Sequence, residues 1–166
     1  MRDGDIVTID ICAELDGWLA DSAKTFPVGT ISPRAQKLLK VTQEALVRGI
    51  AAAKPGGKTG DIGYAVEQYA KTYGLAVVRE LSGHGVGKAM HEGELHIPNY
   101  GQKGRGTALQ CGMTFAIEPM LNAGRRDIKV RPDGWTIVTR DGSLSAHFEH
   151  TVAIVPGGAE ILTNGE

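Results

Sequence analysis

Hydrophobic residues and a strong turn signal predict that the chain opens with a β-hairpin. Residues 6–15 are rich in Ile, Val and Thr, which favour strands. Asp16-Gly17 follows, and this residue pair is typical of two-residue hairpin turns. We therefore expect a second strand to return from Trp18 to about Val28 and to pair with the first.

The register of this hairpin is expected to bring two carboxylates together. A two-residue turn places Asp21 opposite Cys12, which shares a face with Asp10 because side chains alternate along a strand. The two Asp side chains are then diagonal neighbours, roughly 7–8 Å or less apart at Cβ. A bound cation would offset their repulsion, but a solvent-facing hairpin surface explains the pair equally well. The opposite face is expected to be core and carries Val7, Ile9, Ile11 and Ala13.

Two helices are predicted to follow the hairpin. Ser32-Pro33 is a typical N-cap and first helical position, and Pro55-Gly56-Gly57 ends the helix. Its apolar stripe comprises Leu38, Leu39, Leu46 and Ile50. Thr59 is expected to cap a second helix that runs to about Tyr73 and closes at Gly74.

The rest of the chain is predicted to form short strands separated by glycine-rich turns. Residues 91–112 are loop-like and rich in Gly, Pro and Asn. Strands are expected at 75–80, 113–118, 127–131, 135–140 and 145–155. Helices segregated from many strands indicate an α+β fold. Because no repeat or linker interrupts the pattern, residues 1–166 are interpreted as a single domain.

Composition and charge narrow the range of partners. The 18 Lys and Arg residues nearly balance 19 Asp and Glu, and a net charge of −1 provides no global field for nucleic acid or anionic lipid. The sequence shows no signal peptide and no apolar run long enough for a membrane span. Cys12 and Cys111 lie far apart, so neither a disulfide framework nor a cysteine zinc site is indicated. We expect a cytoplasmic protein.

A glycine-rich segment, Gly83-His84-Gly85-Val86-Gly87, follows a predicted strand. It does not match a phosphate-binding P-loop, because Gly87-Lys88 is followed by Ala89. It also lacks the last glycine of the dinucleotide-binding fingerprint. The flanking glycines would let His84 approach a ligand or metal closely, although a lone histidine is more often structural.

The segment His91-Glu92-Gly93-Glu94-Leu95-His96 resembles the zinc-protease motif HExxH only superficially. Its second histidine comes one residue late, so the two imidazoles would not share a helix face. We therefore exclude that motif. His91 remains a candidate hydrogen-bond donor to a substrate oxygen, and His96 is interpreted as a loop residue.

Two further carboxylates lie in or beside hydrophobic strands. Glu118 follows Met113–Ile117 and precedes Pro119, and Glu149 lies within the predicted strand 145–155. A carboxylate in such a position is unfavourable unless it is paired or bound to a metal. A salt bridge or an exposed strand face would also explain either residue taken alone.

Together the candidate residues provide four carboxylates and one imidazole: Asp10, Asp21, His84, Glu118 and Glu149. Four negative charges balance two divalent cations, and this donor set suits ions such as Mn, Fe, Co or Zn. Bridging carboxylates can hold two such ions about 3.5–4 Å apart. Spacing alone does not show that the five side chains converge.

These motifs, taken in order, resemble the type I methionine aminopeptidases of peptidase family M24. The resemblance covers essentially the whole chain and implies the pita-bread fold of the creatinases and aminopeptidases. Its motifs are Asp10 and Asp21 with their spacing, Gly83–Gly87, Met113–Met120, Asp133–Thr136 and Ser145–Thr151.

The resemblance also implies a reaction, the removal of the initiator methionine from nascent polypeptides near the ribosome. Asp10 would bind one ion, Asp21 and Glu149 would bridge both, and His84 and Glu118 would complete the second ion's ligands. A metal-bridging hydroxide would attack the carbonyl carbon of the methionine, with Glu118 as general base. His91 would stabilise the oxyanion. Met90 and Trp135 match positions that line the methionine pocket.

Three features depart from the family pattern. The family's leading segment, with an active-site histidine and much of the methionine pocket, has no counterpart here, so we expect an N-terminally shortened domain with reduced activity. Residues 92–98 differ from the usual pattern and are one residue longer. His147 stands where Gln is usual.

Two other hypotheses remain open at this point. An Xaa-Pro peptidase of the prolidase type would share the fold, although residues 116–120 and Glu149-His150-Thr151 favour methionine removal. A shortened pita-bread protein could instead bind metal or a partner with little or no peptidase activity.

Overall fold

The computed structural model describes residues 1–164, in which two helices are followed by many short strands. In chain order the elements are β1 (Ile6–Leu15), β2 (Trp18–Pro27), α1 (Pro33–Ala52), α2 (Thr59–Thr72), β3 (Ala76–Val77), β4 (Ser82–His84), β5 (His96–Pro98), β6 (Thr114–Ile117), β7 (Met120–Asn122), β8 (Ile128–Val130), β9 (Ile137–Thr139), β10 (Ser145–His147), β11 (His150–Val155) and β12 (Gly158–Ile161). No helix in the described part of the chain is long and apolar enough to cross a bilayer.

The predicted hairpin is confirmed, with its register. β1 and β2 pair in antiparallel, and Cys12 faces Asp21 across the ladder. Asp16 and Gly17 both have positive φ, at 51° and 79°, as expected for a two-residue turn matched to the strand twist. Asp10 and Asp21 therefore share one face of the hairpin.

The expectation that the other hairpin face is core was wrong. Ile9 is 48% exposed and Ile11 is 59% exposed. The hairpin joins the rest of the described structure through its carboxylate-bearing side, where the Thr25 hydroxyl donates to the His147 carbonyl at 2.8 Å. That side is consequently the buried one, since Asp21 and Thr25 are both almost fully buried.

The first helix forms where the sequence predicts it. Ser32 is the N-cap of α1, and its hydroxyl accepts a hydrogen bond from the Ala35 amide at 3.2 Å. Leu38, Leu46 and Ile50 are buried on the predicted stripe. They pack into one hydrophobic core with residues of α2, β6, β7 and β11.

The start of the second helix differs by one residue from the prediction. Lys58, not Thr59, is the N-cap of α2. The Lys58 amide donates to the Asp61 carboxylate at 2.8 Å, which is the reciprocal contact of a capping box. The Thr59 hydroxyl instead accepts from the Thr107 amide at 3.3 Å, and so it contacts a loop rather than capping its own helix.

The later strands are shorter than predicted. Only Ala76–Val77 of the expected strand 75–80 is extended, and the expected loop 91–112 contains β5, which pairs with β4. The predicted strand 145–155 divides into two because its halves join different sheets: β10 pairs with β7, whereas β11 lies between β6 and β12. Glu149 lies at the break between them.

Candidate metal centre

The five predicted metal ligands are carried by five different segments that meet at one cleft. Asp10 and Asp21 come from β1 and β2, and His84 ends β4. Glu118 follows β6 directly, and Glu149 lies between β10 and β11. All five line a cleft of ≈ 340 Å³. Sequence spacing alone did not establish this convergence.

Buried side chains hold the backbone of two of these residues, Asp21 and Glu118. The Thr151 hydroxyl accepts a hydrogen bond from the Asp21 amide and donates one to the Asp21 carbonyl, both at 2.8 Å. The side-chain amide of buried Asn99 donates to the Glu118 carbonyl at 3.1 Å. Each ligand is therefore held by a partner far away in the sequence, and neither partner was identified from the sequence.

The imidazole of His84 points into the carboxylates. Its Nε2 lies 3.5 Å from Glu118 Oε1 and 3.8 Å from Asp21 Oδ2. Its Nδ1 lies 3.1 Å from the Gly85 carbonyl oxygen, which can only accept, so Nδ1 carries the proton. The lone pair is then on Nε2, the atom that faces the cleft, as a metal-binding histidine requires.

Two groups of three side chains have the spacing of metal sites, and they share one residue. Asp21, His84 and Glu149 form one group, and Asp10, His147 and Glu149 form the other. Within each group the donor atoms all lie within 4.8 Å of one another. Because Glu149 belongs to both, the two groups are adjacent.

The buried carboxylates lack the partners that anionic groups need. Glu149 is 2% exposed and Asp21 is 3% exposed. Burial and the neighbouring carboxylates raise the pKa of Glu149 to about 9 and that of Glu118 to about 8. Asp21 Oδ1 and Glu149 Oε1 are buried and have no hydrogen-bond partner among the described residues. A divalent cation would supply the missing positive charge, so the residues fit a metal centre.

Two of the three residues predicted to contact the substrate line the same cleft. Met90 and His91 both do, and the His91 ring lies 4.1 Å from the His84 ring, measured between centroids. Trp135 is 88% exposed in the turn between β8 and β9 and is not among the residues that line the cleft.

His147 was noted in the sequence only as a departure from a family pattern, yet it lies inside the cleft. Its Nε2 lies 3.6 Å from Glu118 Oε2, and its Nδ1 lies 3.9 Å from Asp10 Oδ2. Burial lowers its pKa, although the Asp10 charge opposes this. The sequence did contain one indication of this position. His147 precedes Glu149 by two residues, and residues two apart in an extended segment point to the same side.

Comparison with known proteins identifies the family. A profile of metallopeptidase family M24 matches residues 1–156, which is nearly the whole chain. The chain belongs to metallopeptidase family M24. The resemblance inferred from the sequence motifs is thereby confirmed.

Relatives within family M24 are considerably longer than this chain. Methionine aminopeptidase B from Synechocystis sp. is 50% identical over 163 residues, covering 98% of this chain and 59% of that protein. Methionine aminopeptidase 1 from Bacillus subtilis is 50% identical over 163 residues, covering 98% of this chain and 65% of that protein. The chain thus spans about six tenths of the length of these M24 relatives.

Solved structures of the family share the fold. The crystal structure of methionine aminopeptidase from Rickettsia prowazekii superimposes with a TM-score of 0.96 at 45% identity, over 99% of this chain and 66% of that chain. Prolidase from Pyrococcus furiosus superimposes with a TM-score of 0.77 at 28% identity, over 100% of this chain and 43% of that chain. The predicted α+β pita-bread fold is confirmed.

Proposed function

We propose that this chain carries the catalytic metal centre of a methionine aminopeptidase, which removes methionine from the N-terminus of polypeptides. The proposal is carried by one observation: unpartnered buried carboxylates and an imidazole converge in the cleft that Met90 and His91 also line. Its substrate class comes from relatives about 50% identical over 98% of this chain, which are named methionine aminopeptidases. In this proposal residues 1–166 form one catalytic domain.

The cleft would hold two divalent ions, of Co, Mn, Fe or Zn. Asp10 would bind one ion, His84 and Glu118 would bind the other, and Asp21 and Glu149 would contact both. The membership of Glu149 in both three-residue groups supports this role for Glu149. Bound there, the ions would activate a water molecule and polarise the scissile carbonyl. The carboxylates would offset the charge of the ions and hold them in the cleft.

Glu118 is our candidate general base. Its buried carboxylate lines the cleft, with Oε1 3.5 Å from His84 Nε2 and Oε2 3.6 Å from His147 Nε2. A base of this kind can take a proton from the nucleophile and return it to the leaving amine. The Asn99 contact to its backbone holds Glu118 at the end of β6.

His91 and Met90 would contact the substrate. His91 is exposed at the cleft mouth beside His84, where its imidazole can donate a hydrogen bond to the carbonyl oxygen as negative charge develops. Met90 is half exposed and offers a flexible apolar side chain to a methionine thioether. We assign Trp135 no contact with the substrate, because it is exposed and is not among the residues that line the cleft. Nascent chains as substrate would place the activity in the cytoplasm, close to the ribosome.

Peptide cleavage tests the proposal directly. The full chain, loaded with Mn²⁺ or Co²⁺, is incubated with Met-Ala-Ser and, separately, with the dipeptide Ala-Pro. We expect release of methionine from the tripeptide only. Glu118→Gln should lower kcat by roughly 10²–10⁴-fold, the usual contribution of a general base. Glu94→Gln, which changes an exposed carboxylate on the neighbouring loop, should leave kcat unchanged.

The same assay separates the competing hypotheses. Cleavage of Ala-Pro but not of Met-Ala-Ser would indicate a prolidase activity. Prolidase is the second candidate because the fold is similar to that of the Pyrococcus furiosus prolidase. Metal binding without cleavage of either peptide would contradict the peptidase proposal and support a binding role for the chain.

A further inference from the structure

His147 occupies a place in the cleft that the five-ligand scheme leaves unexplained. It ends β10, and its side chain reaches between Asp10 and Glu118. Together with Asp10 and Glu149 it forms one of the two three-residue groups, in which all donor atoms lie within 4.8 Å of one another.

The backbone of His147 is held firmly. The Thr25 hydroxyl accepts a hydrogen bond from the His147 amide at 2.9 Å and lies 2.8 Å from the His147 carbonyl oxygen. The same hydroxyl lies 2.8 Å from the Thr8 hydroxyl. These contacts tie β10 to the hairpin that carries Asp10, so the imidazole and this carboxylate keep a fixed relation to each other.

One nitrogen of this imidazole nevertheless lacks a hydrogen-bond partner. Its Nε2 is buried, and no partner for it exists among residues 1–164. Nε2 lies 3.6 Å from Glu118 Oε2, and the other ring nitrogen, Nδ1, lies 3.9 Å from Asp10 Oδ2; both separations are longer than hydrogen bonds. A buried ring nitrogen without a hydrogen-bond partner is available to bind a cation, and the ligand atom of His147 lies within 4.8 Å of one oxygen each of Asp10 and Glu149.

We infer that His147 is a sixth ligand of the metal centre, bound to the ion that Asp10 holds. This inference rests on the proposed two-ion centre and adds to it. Each ion then has one imidazole, His84 on one side and His147 on the other, and Glu149 is shared between them. The second imidazole is neutral, so it strengthens binding of a borderline ion such as Co²⁺, Fe²⁺ or Zn²⁺ without adding negative charge to the cleft.

Counting imidazoles on the bound metal tests this assignment without measuring activity. The full chain is loaded with two equivalents of Co²⁺, and its X-ray absorption spectrum is fitted for histidine ligands. We expect an average of about one imidazole per ion in the native chain, and about half that number in His147→Gln. His96→Gln, which changes an exposed histidine on β5, is the matched control and should keep the native count.

Calorimetric titration with Co²⁺ supplies the second readout. His147→Gln should weaken one of the two binding steps at least about 10-fold, as the loss of a direct ligand should exceed the effect of losing a supporting residue. The other step should be unchanged. His84→Asn should weaken the other step instead, so the two variants are distinguishable.

The assignment is overturned by either of two results. One is a native spectrum with about half an imidazole per ion, which needs no variant to be folded. The other is a folded His147→Gln chain with native imidazole count and native affinities. The proposed function could fail while this assignment holds. In that case the native chain would show one imidazole per ion but would not cleave Met-Ala-Ser.

Discussion

The glycine before His84 has a structural role that the sequence alone did not reveal. We expected the glycines on both sides of His84 to let it approach a ligand closely. In the structure, a Cβ on Gly83 would lie directly against the backbone carbonyl oxygen of Ala116 in β6, and 3.1 Å from Ile97 Cβ. Gly83 therefore allows β4 to pack tightly against β6, and this packing sets the distance between His84 and Glu118.

Gly83→Ala should consequently destabilise the protein and disturb its metal centre. Backbone atoms cannot move aside easily, so we expect a loss of about 1–3 kcal/mol in the free energy of unfolding. Urea denaturation followed by circular dichroism measures this loss, and Co²⁺ titration should show weaker binding. Gly87→Ala is the control, because a Cβ there meets only the flexible carboxylate of Glu92. Equal stability of the two variants would contradict this explanation.

At the level of single residues, the sequence predicted the positions of the candidate ligands better than the contacts around them. Asp10 and Asp21 could be placed on one face because a two-residue turn fixes the parity of the ladder. Thr151 and Asn99, which hold Asp21 and Glu118, could not be predicted, because their contacts span 130 and 19 residues and depend on the complete fold. The pattern of residues along a short stretch of sequence does not show which distant residues will be in contact.

Among the elements, α2 depends on one carboxylate at its start. Asp61 accepts hydrogen bonds from the Lys58 amide at 2.8 Å and from the Gly104 amide at 2.7 Å. Both bonds stabilise the charged form and lower the pKa of Asp61. Asp61 therefore caps the helix and also fixes the loop that contains Gly104.

Asp61→Ala should lower the free energy of unfolding by about 0.5–2 kcal/mol, the usual effect of losing a helix cap. Chemical denaturation provides the measurement. Glu44→Ala is the matched control on α1, where the carboxylate makes only a surface ion pair with Arg48 at 3.6 Å. Such pairs contribute about 0–1 kcal/mol. A larger effect of the Glu44 change would argue against the capping role.

Helices and strands were predicted well where the interactions that form them lie within a few residues of one another. The hairpin and α1 were predicted accurately because a turn pair and an N-cap act within a few residues. The strand expected at 145–155 is interrupted because β10 and β11 pair with different strands far away in sequence. The exposure of Ile9 and Ile11 was missed because an apolar pattern does not specify which element covers it.

For the whole molecule, the candidate metal centre brings together parts of the chain that lie far apart in the sequence. Its side chains come from the hairpin, from β4 and from the segments after β6 and β10, so a bound ion would connect all of them. An ion that binds only the folded chain stabilises the entire fold by mass action. Without it, the same carboxylates oppose one another in a buried cleft.

This opposition makes the stability of the metal-free chain depend on pH. The folded-state pKa values of Glu118 and Glu149, about 8 and about 9, lie above the ordinary value of 4.5. Burial also raises the pKa of Asp21. At these three carboxylates the folded chain therefore binds more protons than the unfolded chain between about pH 4.5 and 9. The lowered pKa values of His147 and His150 act in the opposite sense only below their ordinary value of 6.5, so the free energy of unfolding falls as the pH rises from about 7 to 9.

Thermal unfolding in EDTA, from about pH 7 to 9, should accordingly show Tm falling with pH. About 1 kcal/mol corresponds to roughly 2–4 °C for a chain of this size, so the fall should be easily measured. Glu149→Gln removes one of the groups responsible and should flatten the curve, whereas Glu44→Gln should follow the native chain. Saturating Mn²⁺ should raise Tm most at the highest pH, because the ion replaces the protons that the carboxylates otherwise retain. A Tm in EDTA that is constant or rises over this interval would contradict the placement of these three carboxylates in one buried cleft.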